Sequence, residues 1–113
     1  MEDLGLTAMT KIEVVVEGTD EAAVRDLFLD AGASGYTAVT GVSGFGHHGP
    51  HQGQLLFNDR ASLSMLITVV PDDRVGAIVD GVRRLLEQRP GVLFVTRTAV
   101  SRPHYFVADD ASA

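Results

Sequence analysis

The stretch Ser62–Val70 (SLSMLITVV) runs directly into Pro71-Asp72-Asp73 and then into Val75, Ile78, Val79, Val82, Leu85 and Leu86. Leu63, Met65, Ile67 and Val69 recur every second residue, which predicts a strand over 62–70. After Pro71 the apolar spacing lengthens to three and four, the period of a helix face. Proline at the helix start, with aspartate as cap, suits this boundary. Pro90-Gly91 closes the connection, and Val92–Val100 reads as a further strand. A strand, a helix and a strand therefore follow in order.

Upstream the same grammar repeats. Ile12, Val14 and Val16 alternate with Lys11, Glu13 and Glu17, predicting a first strand over Lys11–Glu17. Gly18-Thr19 turns the chain, and Thr19 or Asp20 can cap the helix that carries Val24, Leu27, Phe28 and Ala31 on one face. Gly32 supplies a stop signal, and Tyr36–Val42 reads as the second strand. The order β-α-β-β-α-β predicts an α+β, ferredoxin-like sandwich. One domain over residues 10–106 is expected, with 1–9 and 107–113 as flexible termini and Met9 as a candidate start. Strands one and three are expected as parallel neighbours, with strands two and four outside them and both helices on one face. Val15, Val39, Leu66, Val70, Leu93, Val95 and Ala99 fall in the opposite strand phase. They are too apolar for a solvated surface, so this face is expected to self-associate, unless leader or tail covers it.

Composition bounds the function. At 113 residues, with 45% hydrophobic and 21% charged content, the chain is one ordinary globular domain. It contains no cysteine, which rules out disulfides and thiolate chemistry and makes a reducing, cytoplasmic compartment the default. A net charge of −6 opposes sequence-independent nucleic-acid binding and anionic membrane surfaces. No apolar run approaches the ~18–20 residues that span a bilayer.

The anomaly is the stretch between the second and third strands, with Val42–Asn58 as its heart. Loops between elements usually run about 4–6 residues, and far longer ones are functional or disordered. Gly41, Gly44, Gly46, Gly49 and Gly53 let backbone N–H groups approach an anion such as phosphate or bicarbonate, although linkers carry glycine too. His47, His48 and His51 offer imidazoles for zinc, copper or nickel, or form a solvated loop tip. Gly49-Pro50 prevents a helical ligand pair, and no carboxylate joins the cluster. No nucleophile elbow or Walker lysine occurs, and Asp72-Asp73 is the ordinary acidic start of a helix, so the chain is not expected to be an enzyme.

Two segments carry a family resemblance. Gly35-Tyr36-Thr37 followed by Gly44-Phe45-Gly46, and Val69-Val70-Pro71-Asp72-Asp73-Arg74-Val75 continuing to Ile78-Val79-Asp80, resemble the P-II signalling proteins. The resemblance covers Lys11 to about Val100. It implies a homotrimer with adenine nucleotides between subunits and a regulatory "T-loop" joining the second and third strands. It also implies roles for particular residues. Thr37 and Val69 would line the adenine, and Gly44, Phe45 and Gly46 the phosphates. Gly91 and Val92 would come from the facing subunit's B-loop, and Arg97 and Arg102 are the nearby cations. The B-loop Arg89-Pro90-Gly91-Val92 is short, with Val92 where the family has a phosphate-binding lysine, so AMP or ADP is favoured over a triphosphate. Tyr36 and Tyr105 are the two tyrosines and neither lies in the loop, so uridylylation there is excluded.

These departures resemble the P-II-like branch associated with carboxysomes and bicarbonate transport. That resemblance implies nucleotide sensing, with bicarbonate as a further ligand, and control of a membrane transporter or a carboxysome-related partner. The alternative is a metal-responsive trimer resembling CutA, using His47, His48 and His51.

Overall fold

A computed structural model describes residues 4–43 and 62–107. β1 (Thr7–Glu17) leads through a 3-10 turn into α1 (Glu21–Asp30), followed by β2 (Thr37–Val42). β3 (Leu63–Val70), α2 (Asp72–Leu86) and β4 (Gly91–Val100) repeat the pattern, and a 3-10 turn spans Pro103–Phe106. The four strands form one sheet in the order β2-β3-β1-β4, the α+β ferredoxin-like arrangement.

β1 lies between β3 and β4 and is antiparallel to both. The expectation of parallel central strands is therefore corrected. Each helical crossover passes over one intervening strand, so β1 runs parallel to β2, and β3 between them runs the other way. β1 also begins earlier than expected. Thr7 pairs with Val100 and Met9 is buried, so Thr7–Met9 belong to the sheet and not to a loose leader.

Both helices cover one face. Val24 and Phe28 from α1 and Ile78 and Val82 from α2 pack fully buried against Ile12, Val14, Val16, Leu66 and Val70. Leu27, Ala31, Val75, Val79, Leu85 and Leu86 flank this core, as the helical spacing predicts. The phase of β3 is the reverse of the expected one. Val14 pairs with Leu66 and Ile12 with Thr68, so Leu66, Thr68 and Val70 face the helices. Met65, Ile67 and Val69 share the open face with Val15 and Glu13.

Leu66 and Val70 thus leave the expected open-face set. Leu93, opposite Val14, packs against the core, and Val95 and Ala99 share its strand phase. Val15 and Val39 remain on the open face, joined by Met65, Ile67, Val92 and Phe94. Two hydroxyls of β3 explain the reversal, and Thr10 of β1 faces the same way. Ser64 donates to Glu21 at 2.7 Å, Thr68 to the Gly35 carbonyl at 2.7 Å, and Thr10 to Asp72 at 2.9 Å. Ser64, Thr68 and Thr10 are all buried, because each has a partner that satisfies its polar group.

Neither helix uses a side-chain cap on its own backbone. Asp20, at the N-cap position of α1, accepts from Arg89 Nε at 3.0 Å, and Glu17 accepts from the same guanidinium at 3.4 Å. This pair ties the α2–β4 connection to the β1–α1 turn. At α2 the N-cap position is Pro71, and Asp72 directs its carboxylate to Thr10 and Arg97. Asp72 and Asp73 in its first turn, and Arg83 and Arg84 in its last, match the helix dipole. Gly41 lies within β2, at a register shift between Thr40 and Val42, with φ +70°. That conformation favours glycine, and the bulge bends the strand just before residue 43. Gly41 is thus a strand residue at the bulge, and the other loop glycines, Gly44, Gly46, Gly49 and Gly53, lie outside the described residues.

Candidate functional site

After α1 the chain turns with Ala33 N–H on the Phe28 carbonyl at 3.0 Å. Ala33 is buried, which leaves Ser34-Gly35-Tyr36 running along the sheet end into β2. Thr68 fixes this segment to the centre of the fold through the Gly35 carbonyl. From the opposite side comes the turn Pro103–Phe106, whose Tyr105 carbonyl accepts from Ser34 Oγ at 2.8 Å. Between these pieces lies a cleft of about 250 Å³. Ile67 and Val69 of β3 form its floor, Gly35–Thr37 one wall, and Tyr105 with Phe106 the other.

An apolar floor edged by a threonine hydroxyl and backbone amides suits a small planar heterocycle, which stacks on apolar surface and hydrogen-bonds at its rim. Arg102 stands beside the outer wall. Its Nη1 donates to the Tyr105 hydroxyl at 3.1 Å, and its Cζ lies 5.6 Å from the ring centroid. The His104 ring meets Tyr105 edge-on at 4.5 Å.

One row along the sheet, Thr10, Asp72 and Arg97 form a second polar group. Arg97 Nη1 donates to Thr10 Oγ1 at 3.1 Å and also to the Asp72 carboxylate. Hydrogen bonds from Thr10, and then from Arg97, hold the Asp72 carboxyl below its ordinary value of 3.8. Both charged side chains remain largely exposed, so the pair is a solvated latch between β4 and the start of α2.

The residues singled out from the sequence fall into four groups. Thr37 and Val69 line the same cleft, and Arg102 braces its outer wall. Arg97 is engaged with Asp72 and Thr10 and does not line the cleft. Gly91 and Val92 pair with Val16 and Val15, on the far side of β1 from β3 and towards the other end of the sheet. Within one chain they do not meet Thr37 and Val69. Gly44, Phe45, Gly46, His47, His48 and His51 lie outside the described residues. Among the described residues, no group of three His, Asp or Glu side chains could hold a metal ion. No helix among them is long and apolar enough to cross a membrane.

Ser34, Tyr105 and Phe106 had no periodic signal in the sequence. Ser34 and Tyr105 are 71 positions apart, and no periodicity links a loop serine to a turn after the last strand. Pro103 was the one visible cue, since Arg102-Pro103 breaks the strand pattern.

The family model "Nitrogen regulatory protein P-II" matches residues 9–105. A comparison with curated proteins gives no match. The chain is similar to the structure of CPII from Thiomonas intermedia K12 bound to ADP, AMP and acetate, at 36% identity and a TM-score of 0.76, covering 89% of this chain and 96% of that one. It is similar to CPII, a nitrogen regulatory PII-like protein from the same organism, bound to ADP, AMP and bicarbonate. There the identity is 39% and the TM-score 0.74, over 89% of this chain and 95% of that one. A PII-like signaling protein from Thermus thermophilus shares the fold at 19% identity and a TM-score of 0.73, covering 92% of this chain and 100% of that one. With the family model matched across nearly the whole sheet-and-helix domain, the chain belongs to the nitrogen regulatory protein P-II family.

Proposed function

We propose that this protein is a non-catalytic, cytoplasmic regulator that binds AMP or ADP with the base in the cleft over Val69, bicarbonate being a further ligand. The observation that carries this reading is the meeting of Thr37 and Val69 in one cleft with an apolar floor. The CPII structures bound to ADP and AMP, at 36% and 39% identity, support it. Arg102, bonded to the Tyr105 hydroxyl, is a cation beside the cleft wall and suits a ligand that carries phosphate.

The open sheet face supplies the assembly. Phe94 is 51% exposed and Val39 42% exposed, a surface that three copies would cover in a homotrimer. Assembly would also bring Gly91 and Val92 of one copy towards the Thr37–Val69 cleft of the next. Ligand binding then orders the T-loop, with Gly44, Phe45 and Gly46 at its base, and the loop engages or releases a partner. A component of inorganic-carbon transport or of a carboxysome is the proposed partner class.

Calorimetry with AMP, ADP, ATP and cyclic AMP, each with and without bicarbonate, tests the reading. AMP or ADP should bind most tightly, and bicarbonate should change their affinity. No heat from any nucleotide at millimolar concentration overturns it. Sedimentation of the purified protein checks the trimer.

A further inference from the structure

The open face of the sheet, for all its apolar residues, carries two opposite charges on its central strand. Lys11 of β1 lies between Val69 and Thr96, and Glu13 lies between Ile67 and Phe94. Lys11 is also the only lysine of the chain. Its Nζ stands 3.7 Å from Glu13 Oε1, with the two side chains 37% and 24% exposed. A charge-assisted hydrogen bond closes to about 2.7–2.9 Å, so within one chain the two are attracted but not bonded. Covering Ile67 and Phe94 takes Lys11 and Glu13 out of water with them, because they share the same rows. A loose pair does not offset that desolvation, and closer partners are required. The ammonium has three donors and the carboxylate two accepting oxygens, so each can take a second partner.

We propose that Lys11 of one copy pairs with Glu13 of the next when open faces meet, and that this charge pair sets the register of the assembly. This rests on the homotrimer reading above and names the side chains that fix how the copies sit. In a closed ring of identical chains each contact is heterologous, so the side offering an ammonium meets the side offering a carboxylate. One chain carries both halves of the pair, and a second copy is therefore the partner whose charges match. Apolar contact by itself is non-directional and tolerates sliding between Phe94, Ile67 and their counterparts. A slipped register buries an unpaired ammonium or carboxylate, which rejects it. Register also bears on the cleft, since Lys11 is the strand neighbour of Val69 in its floor. Copies that slip at Lys11 displace whatever the neighbouring copy adds beside that cleft.

The test starts from the full-length protein, mixed from ordinary and isotope-labelled chains and treated with a water-soluble carbodiimide. This reagent joins an amine to a carboxylate as an amide with loss of water, and a single lysine makes the product easy to read. Mass spectrometry of the tryptic peptides should show Lys11 of a labelled chain joined to Glu13 of an unlabelled one. In sedimentation, K11E and E13K should each weaken association at least tenfold, because each places like charges together. Mixing the two variants should restore assembly, since one chain then offers two carboxylates and the other two ammoniums. Helical circular dichroism of each variant alone should match wild type, as neither residue faces the helix-covered core. An assembled wild type whose Lys11–Glu13 links stay within single chains overturns the pairing and leaves the homotrimer reading standing. So does K11E that associates as tightly as wild type, or a mixture of the two variants that does not re-associate. A wild type that sediments as a monomer overturns both.

Discussion

The two faces of the sheet use polar and apolar side chains in opposite ways. On the helix-covered face, Ser64, Thr68 and Thr10 are buried among valines and leucines, and each hydroxyl bonds an element that crosses above it. On the open face, Val15, Val39, Met65, Ile67 and Phe94 lie under no helix, and Phe94 and Val39 stay exposed. The covered face uses polar groups to orient helices and loops. Among the described residues no helix covers the apolar groups of the open face, which suits association between copies. Hydrophobicity alone therefore does not tell inside from outside when both faces of a sheet become covered.

Truncation of the covered face should do the most damage. Phe28→Ala removes a fully buried ring and should cost about 3–5 kcal/mol in urea unfolding. The matching change on the open face, Phe94→Asp, should leave the helical signal intact and reduce the assembly to monomers in sedimentation. Its effect on association should be about 2–4 kcal/mol, the scale of a central interface residue. If Phe94→Asp unfolds the protein while Phe28→Ala is tolerated, the division between the faces is wrong.

Smaller changes sharpen the contrast. Gly91 has no room for a side chain: an added Cβ would sit 2.6 Å from Leu86 Cδ2 and 2.9 Å from the Val15 carbonyl oxygen. Gly91→Ala should lower stability by about 1–3 kcal/mol, read from the denaturant midpoint. Thr68→Val keeps the shape but strips the Gly35 carbonyl of its donor, and should cost about 1–2 kcal/mol. It should also loosen the cleft wall that this bond holds, so nucleotide affinity falls with it.

The smallest effect belongs to the exposed latch. Asp72 is held below 3.8 in the folded state, so its contribution is present above that unfolded value and is lost as pH falls through the lowered native one. Asp72→Asn should therefore differ from wild type at neutral pH. The two should converge in the acid range below pH 3.8, with a difference small at every pH because solvent screens the pair.

Element order and helix faces were legible in the chain. Helical spacing marked Val24, Phe28, Ile78 and Val82 as core because a helix this amphipathic has one way to lie down. Strand phase was not legible in β3, where Leu63, Met65, Ile67 and Val69 looked inward and Ser64 and Thr68 outward. Burial there turned on whether Glu21 and the Gly35 carbonyl would arrive opposite those hydroxyls, which is a property of the folded arrangement. The same holds for the cleft. Local sequence marked Thr37 and Val69, but the wall that encloses them comes from Tyr105, brought across 71 positions by a single serine hydroxyl. Periodicity is a short-range property of the chain and decided the elements. Which side each strand turned to the helices, and which residues met around the cleft, depended on partners distant in sequence, and only the tertiary structure decided them.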